Sequence, residues 1–532
     1  MTITIRLHYQ FLCIGIFFLF CAVNTSAQNQ NIKNDVFWDT KEGLPIYSQG
    51  GGVFKFKDSK DGIEKYYWYG VHYEEAEKYR KAPSVTYQNC TFKSITCYSS
   101  TDLVNWTFES DVFKAESAFP DGKSTWVGRL GVTYIKEMNK YAMFVQHGSQ
   151  VLVALADSPT ANFTWHQKIN MEPWIGTTNT GDQTVFTDED GKSYLIYSYG
   201  KGRNKIYVSE IGVKEGKVNI LDCTKVFQGE SREGNCMFKY KNKYYMAASN
   251  IYGWDASFAY YLVSDNIRGP YLPTNDMQIM NGSTEDYAHI TQTGFFYTIK
   301  QNDKETVLYC GDRWANFAGN GLGYNQWFPL SFNGSEPYFN SLSSWNLDEK
   351  TGNWNVASDN NYVKNGSFEA DRNKIPSSFK PIQEQLMGWK TTIIKGNKIS
   401  TTDKNSPQLN YFNTQEDRKE VIGEKSLNIT DTIDFTREIS QQISSSPYVV
   451  LEDGSYILTA RVKNSTGFSE LKMYASSGAV DYKFAVKEEN ASWKSISISD
   501  IEVKNGKITI GFFANGTANA FCLIDDVTLV KK

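Results

Sequence analysis

The stretch Asp190-Gly191-Lys192-Ser193-Tyr194-Leu195-Ile196-Tyr197 decides how this chain is to be read. A tight Asp-Gly turn runs straight into a Tyr-led apolar strand, the combination that folds one strand back on another. The pattern recurs on both sides. Lys65-Tyr66-Tyr67-Trp68-Tyr69-Gly70 and Asn139-Lys140-Tyr141-Ala142-Met143-Phe144 come before it. Asn242-Lys243-Tyr244-Tyr245-Met246 and Asp303-Lys304-Glu305-Thr306-Val307-Leu308-Tyr309 come after it. Between Tyr67, Tyr141, Tyr194, Tyr244 and Val307 the intervals run from 50 to 74 residues. A second strand follows each, often closed by a Ser/Asp turn and an aromatic, as in Ser99-Ser100-Thr101-Asp102…Trp106. Five such units predict an all-β fold, a five-bladed β-propeller with four strands per blade. An unclosed array of β-sandwiches is the alternative that spacing alone leaves open.

The composition agrees. The chain has 532 residues, with 33 Tyr, 32 Phe, 13 Trp and 40 Gly, and Tyr outnumbers Leu. That balance favours extended sheet over helix bundles. Lys plus Arg is 55 against 59 Asp plus Glu. No basic excess exists to hold nucleic acid. A mean hydropathy of −0.46 excludes a polytopic membrane protein.

Residues 1–27 read as a secretory signal peptide. Arg6 is the only charge, an apolar run spans Phe11 to Val23, and Thr25-Ser26-Ala27 supplies the small residues of a cleavage site. The run is too short for a spanning helix, so no integral span is expected after cleavage. A lipidated Cys21 is the rival reading, but Phe18-Leu19-Phe20 lacks the small residue expected before it. The expected location is periplasmic, extracellular or cell-surface. Of the eight Cys, six lie beyond residue 27, and none forms a C-x-x-C pair, which argues against structural zinc. A large core does not need disulfides and buried free thiols are the plain reading for most of the six, with Cys90 and Cys97 the one local pair to test for a bridge.

The texture changes near residue 360. From there Ser455-Tyr456-Ile457-Leu458-Thr459-Ala460-Arg461-Val462 alternates with period two, as do Lys507-Ile508-Thr509-Ile510 and Cys522-Leu523-Ile524. The chain divides into a propeller over 28–360 and a second β-sandwich (jelly-roll) domain over 361–532.

Acids at the heads of apolar strands are the candidates for chemistry, because a carboxylate drawn into a channel must be paired or functional. Asp182 stands in Gly181-Asp182-Gln183-Thr184-Val185-Phe186, and Glu233 in Ser231-Arg232-Glu233-Gly234-Asn235-Cys236. They lie one unit apart. His147 ends Phe144-Val145-Gln146-His147 and is either channel-facing or a satisfied buried residue. Trp254 and Trp314, in Gly-Trp and Asp-Arg-Trp turns, are candidates to stack on a ring. With four His beyond residue 27 and no paired spacing, no catalytic metal is expected. Structural calcium is compatible with the Asp-rich turns.

Several motifs occur in order through all five units. They are Trp38-Asp39-Thr40…Gly43, Gly50-Gly51-Gly52, Cys97-Tyr98-Ser99-Ser100-Thr101-Asp102-Leu103-Val104-Asn105-Trp106, Gly181-Asp182-Gln183, Arg232-Glu233…Met237-Phe238-Lys239, Gln292, and Gly311-Asp312-Arg313-Trp314. In these, residues 37–332 resemble glycoside hydrolase family 43, and specifically its exo-β-1,3-galactanase-like branch. The resemblance implies an inverting glycosidase on a five-bladed propeller, needing no cofactor. It implies Glu233 as general acid and Asp182 as the residue that holds Glu233 and raises its pKa. The acid usual on the first blade is absent, since that stretch reads Tyr47-Ser48-Gln49-Gly50. In the branch, an amide at the position of Gln292 takes the water-activating role. Gln49, Arg129, His147, Trp254, Asp312 and Trp314 are the expected substrate-binding residues.

Departures are specific. The branch has His where Gln49 stands, Glu where Val71 stands, a Glu-Arg-Pro-Lys segment where Gly128-Arg129-Leu130-Gly131 stands, and Ala-Pro where Gly234-Asn235 stands. Residues 361–532 open with Asn365-Gly366-Ser367-Phe368-Glu369 and close with Leu523-Ile524-Asp525-Asp526-Val527. They resemble the galactose-binding-like carbohydrate-binding modules found beside such enzymes. Trp389, Tyr474, Tyr482 and Trp493 are candidate platforms, and a purely bracing role is equally open. The expected function is an exported, monomeric exo-glycosidase releasing terminal sugars from a galactan-type polysaccharide. A same-fold enzyme for arabinofuranose, galactofuranose or xylose ends, and a non-catalytic sugar binder, are the rivals.

Overall fold

The computed structural model describes residues 30–532, apart from 59–60, 255–256, 275, 285, 287–290, 316–317, 319–323, 372–384, 400–408, 411–412 and 422. The signal sequence expected over 1–27 therefore lies outside the described residues.

The N-terminal part is built from five four-stranded antiparallel sheets that follow one another along the chain. Their first strands are β1 (Gln49–Lys57), β2 (Val127–Ile135), β3 (Thr180–Thr187), β4 (Glu233–Tyr240) and β5 (Gln292–Gln301). The second strand of the fifth sheet is β6 (Lys304–Arg313). The third sheet takes in an additional strand, Thr224–Gln228, beside its third member. Each Tyr-led repeat falls on the second strand of its own sheet: Glu64–Tyr73, Lys140–His147, Ser193–Tyr199, Lys243–Ser249 and β6.

The first strands contact one another in sequence, β1 to β2, β2 to β3, β3 to β4 and β4 to β5, and β5 returns to β1. Five core clusters fill the five spaces between neighbouring sheets. The strand Glu64–Tyr73 shows how. Tyr67, Tyr69 and Val71 pack with Leu130, Val132 and Met143 of the second sheet. Tyr66 and Trp68, on the opposite face, pack with Phe295, Leu308 and Trp327 of the fifth. Similar clusters join the second sheet to the third, the third to the fourth and the fourth to the fifth. A strand covered on both faces reads as a continuous apolar run rather than an alternating one. This accounts for the Tyr and Phe content: large rings fill wedge-shaped gaps between splayed sheets.

Trp68 is fully buried, with ring centroids 5.0 Å from Trp327, 5.2 Å from Trp106 and 5.9 Å from Trp38. Trp68→Ala is expected to destabilise this part of the protein by about 3–5 kcal/mol. A lowered denaturant midpoint at unchanged slope is the measurement that checks it.

Residues near the two ends of this part meet. Asn31–Lys33 pairs with Ser344–Asp348, which also pairs with Asn353–Val356. The Trp345 indole N–H donates to the Trp327 carbonyl at 2.8 Å, fixing this small sheet to the fifth.

Beyond it lie two five-stranded antiparallel sheets, with strand orders 390–395, 435–444, 507–516, 468–477, 480–485 and 409–410, 426–430, 521–531, 454–464, 490–503. One cluster holds both sheets together, with Ile439, Met473 and Phe512 from one and Ile429, Leu458 and Ile524 from the other. Trp389 and Trp493 are buried, so as platforms they are closed off. Tyr474 donates to Glu438 at 2.6 Å, and Tyr482 packs against the core cluster.

All six described Cys are free thiols. The Cys90–Cys97 pair, the one local candidate for a bridge, is therefore not joined. Cys97 points into the core from its strand, toward the Pro159 carbonyl at 3.8 Å, and the chain leaves Cys90 outside that strand. No helix among the described residues is long and apolar enough to cross a membrane.

Candidate active site

All five first strands share one irregularity. Near its start each carries a residue more than its partner spans, between Gln49 and Gly52, Val127 and Leu130, Thr180 and Gln183, Glu233 and Cys236, and Thr293 and Phe295. A bulge of this kind bends the strand and re-aims the side chains beside it. Among the polar residues at this end are Gln49, Arg129, Asp182, Glu233 and Gln292, each from a different first strand. Four of them form one connected network.

Arg129 is its hub. Nε donates to Asp182 Oδ2 at 3.0 Å, Nη1 to Asp312 Oδ2 at 2.9 Å, and Nη2 to Gln292 Oε1 at 2.7 Å. Gln292 Nε2 donates to Glu233 Oε1 at 2.7 Å. The amide orientation of Gln292 is fixed by its partners, because a flip would set an N–H against the Arg129 N–H. Asp182 Oδ2 also accepts from the Gly234 backbone N–H at 2.8 Å. Gly234 has φ +64°, and a Cβ there would lie 2.5 Å from the Thr293 carbonyl oxygen, so the turn that aims this N–H requires glycine. Asp312 comes in from β6, and its Oδ1 accepts from the Gly50 N–H at 2.8 Å, so both its oxygens are occupied.

The two acids are driven apart. Burial pushes the Glu233 carboxyl up to about 8, with the Asp182 charge adding to it and Arg203, Arg129 and the Gln292 amide opposing. Burial alone would also raise Asp182. The Arg129 and Arg203 guanidiniums and the Gly234 N–H outweigh it and hold that carboxyl below its usual range. One acid stays ionised while its neighbour keeps a proton near neutrality, the separation that proton donation by a carboxyl group requires. Since Gln292 donates to Oε1 of Glu233, Oε2 is the oxygen left to carry that proton.

The remaining expected residues are placed as follows. Gln49 is buried, donates from Nε2 to the Tyr324 carbonyl at 3.0 Å, and finds no partner for Oε1 among the described residues. Trp314 is buried, while Trp254 and Trp126 are half-buried. Trp254 stands with its ring centroid 5.4 Å from Trp314 and 5.8 Å from Trp126, forming an aromatic shelf beside the β2 bulge. His147 stands apart from the network. Its Nε2 faces the Ala118 carbonyl at 2.9 Å and its ring packs on Phe119 and Trp165.

Sequence reasoning missed Arg203, which lies 3.0 Å from Asp182 Oδ1 and 3.6 Å from Glu233 Oε2. It also missed Trp126, and Gln146, whose carbonyl oxygen accepts from the Arg129 N–H at 3.2 Å. The turn Tyr199-Gly200-Lys201-Gly202-Arg203-Asn204 reads as solvated. Its one signal is that it follows directly on the second strand paired with β3.

Residues 63–322 match the family model described as "Glycosyl hydrolases family 43". The chain carries a glycoside hydrolase family 43 domain. It is therefore a glycoside hydrolase, and the fold of family 43 is a β-propeller. No curated protein matches the chain. Among solved structures, the exo-β-1,3-galactanase of Phanerochaete chrysosporium with β-1,3-galactotriose is similar at 18% identity and a TM-score of 0.53, covering 94% of this chain and 100% of that one. The exo-β-1,3-galactanase of Clostridium thermocellum is similar at 19% identity and a TM-score of 0.52, with the same coverage. At these identities the likeness is one of fold. Among the described residues, no group of three or more His, Cys, Asp or Glu is placed to hold a metal ion.

Proposed function

We propose that this protein is an exported, monomeric, exo-acting glycoside hydrolase that releases terminal sugars from a galactan-type polysaccharide with inversion. In this reading residues 28–360 form a closed propeller of five blades, and 361–532 a jelly-roll carbohydrate-binding domain. The observation that carries it is the bonded set Glu233–Gln292–Arg129–Asp182, gathered from four successive first strands at one end of the ring.

The geometry supports the following roles. A terminal sugar sits at that mouth against the Trp126–Trp254 shelf, whose rings offer apolar faces to the sugar's C–H surface. Glu233 Oε2 gives its proton to the glycosidic oxygen, and the leaving alcohol departs. Asp182 stays anionic and opposes early loss of that proton. As the glycosidic bond breaks, a water attacks the anomeric carbon from the opposite face and sheds its proton to solvent, from which Glu233 is reprotonated. Gln292 orients Glu233 and, with its second N–H, that water. Arg129 pins the Gln292 oxygen as an acceptor, which opposes the imidic tautomer that would let Gln292 take the proton itself.

The likeness in fold to two exo-β-1,3-galactanases supports the galactan reading. One observation favours other terminal sugars such as arabinofuranose, galactofuranose or xylose. Trp126 Nε1 lies 2.5 Å from where a Cβ at Gly128 would sit. The carboxylate that the galactanase branch presents at this position therefore has no room here. Losing a group aimed at sugar hydroxyls changes which sugar is accepted.

Incubating the full chain with β-1,3-galactan, arabinan and aryl glycosides of the rival sugars separates these readings. Galactose released from the chain end, first as the inverted anomer by NMR, is the expected result. Release only from the rival glycosides would replace the galactan assignment. Release of internal fragments would remove the exo assignment.

A further inference from the structure

Arg203 belongs to none of the five first strands, yet it reaches the pair of acids. It sits in the turn after the second strand of the third sheet, with φ +50°, a left-handed conformation unusual for arginine. Two backbone bonds hold it there: its N–H donates to the Tyr199 carbonyl at 3.1 Å, and its carbonyl accepts from the Arg232 N–H at 2.9 Å. The side chain lies over Gly181, where a Cβ would come within 3.1 Å of Nη1. The glycine leaves room for the Ser198 hydroxyl, 2.2 Å from that Cβ, as well as for the guanidinium. The side chain remains 31% exposed, so it stands at the opening and not in the core.

We propose that Arg203 is a positioning residue for the acid: its guanidinium, 3.0 Å from Asp182 and 3.6 Å from Glu233, couples the two carboxyl groups and sets the pH at which Glu233 gives up its proton. The inference rests on reading Glu233 as the proton donor. Facing Glu233 are Asp182 from β3, Arg129 from β2, the neutral Gln292 from β5, and Arg203 from the turn; Asp312 of β6 stands behind Arg129. Arg129 is spent on three partners, none of them Glu233. Arg203 is thus the cation nearest the oxygen that becomes charged as the proton leaves. It makes that charge cheaper to form at Glu233, and it keeps Asp182 ionised while it forms.

The test reads the carboxyl group directly and needs no substrate. On the full chain, pH-difference infrared spectroscopy follows the carboxylic C=O band that Glu233→Gln removes. In Arg203→Gln, folded by circular dichroism, the titration midpoint of that band is expected to rise by about one pH unit or more. Arg203→Lys, which keeps a cation at the site, is expected to stay close to the wild type. Arg203→Met, neutral and of similar reach, replaces Arg203→Gln should the latter not fold. An unmoved midpoint in a folded neutral variant, or an equal rise in Arg203→Lys, overturns the proposal. A wild-type chain that releases no sugar while the midpoint still moves would remove the hydrolytic role of Glu233 and leave the coupling intact.

Discussion

Glu233→Gln is expected to reduce hydrolysis by about a thousandfold or more while increasing stability above neutral pH. The loss of activity follows from the role. A general acid contributes roughly 10²–10⁴-fold, and an amide has no proton to give. Gln keeps the shape and still accepts from Gln292 Nε2 at its oxygen, so the network around it persists. The stability effect has the opposite sign. In the unfolded chain this carboxyl ionises near 4.3, whereas the fold holds its proton up to about 8. Between those values the folded state binds more protons than the unfolded one, so stability falls as pH rises. The contribution is whole below about pH 4 and lost above about pH 8. Removing the group removes that dependence. The variant should exceed the wild type at pH 8 by on the order of a few kcal/mol and match it near pH 4. Urea unfolding at the two pH values measures the gap. A gap that stays constant or reverses between them would mean Glu233 is not a proton-holding acid. In the wild type, activity should fall as pH rises through about 8, as the donor ionises.

Arg129→Met should be the most damaging single change to the fold of this part. Arg129 is buried, and its three donors satisfy Asp182, Asp312 and Gln292 at once. Met fills much of the volume but leaves two buried carboxylates without their cation. Breaking a buried pair by removing one partner costs about 3–5 kcal/mol, and here two acids lose the same partner. Asp182 keeps Arg203 and the Gly234 N–H, while Asp312 keeps only the Gly50 N–H. Asp312, whose carboxyl burial already pushes up against the opposing Arg129 charge, would then hold its proton still more tightly in the folded state than in the unfolded one. The variant should therefore recover stability as pH falls and lose it as pH rises, opposite to the behaviour of a salt-bridged carboxylate. Thermal melts from pH 4 to pH 8 check this. Equal destabilisation across that range would indicate a loss of packing instead of a loss of charge.

Much of this was legible in the sequence. The Tyr-led repeats mark the second strand of each sheet, because that strand is covered on both faces and must be apolar throughout. Asp182 and Glu233 were legible as acids heading apolar strands, where only the mouth of a ring can accept them, whereas Gln292 was legible by resemblance. Asp312 was legible by resemblance alone, and the structure makes it a partner of Arg129 and Gly50 with no free oxygen. Other features were hidden for physical reasons. The bulges are one-residue slips of register and leave no periodic trace. Arg203 sits in a Gly-rich turn that local pattern reads as solvated, and only the close approach of two sheets brings it to Asp182. Trp314 reads as an exposed stacking ring from its turn, but the packing of Trp254 over it covers it. Cys90 and Cys97 are close in sequence, yet the direction of the strand turns Cys97 inward.

The most direct measurement is a crystal structure of Glu233→Gln soaked with a β-1,3-linked galactose oligosaccharide. The sugar is expected at the mouth formed by the starts of β1 to β5, against Trp126 and Trp254, with its glycosidic oxygen within about 3 Å of the side chain at position 233. A sugar bound only to the two sheets beyond residue 361, or lying with its glycosidic oxygen away from position 233, would contradict that expectation.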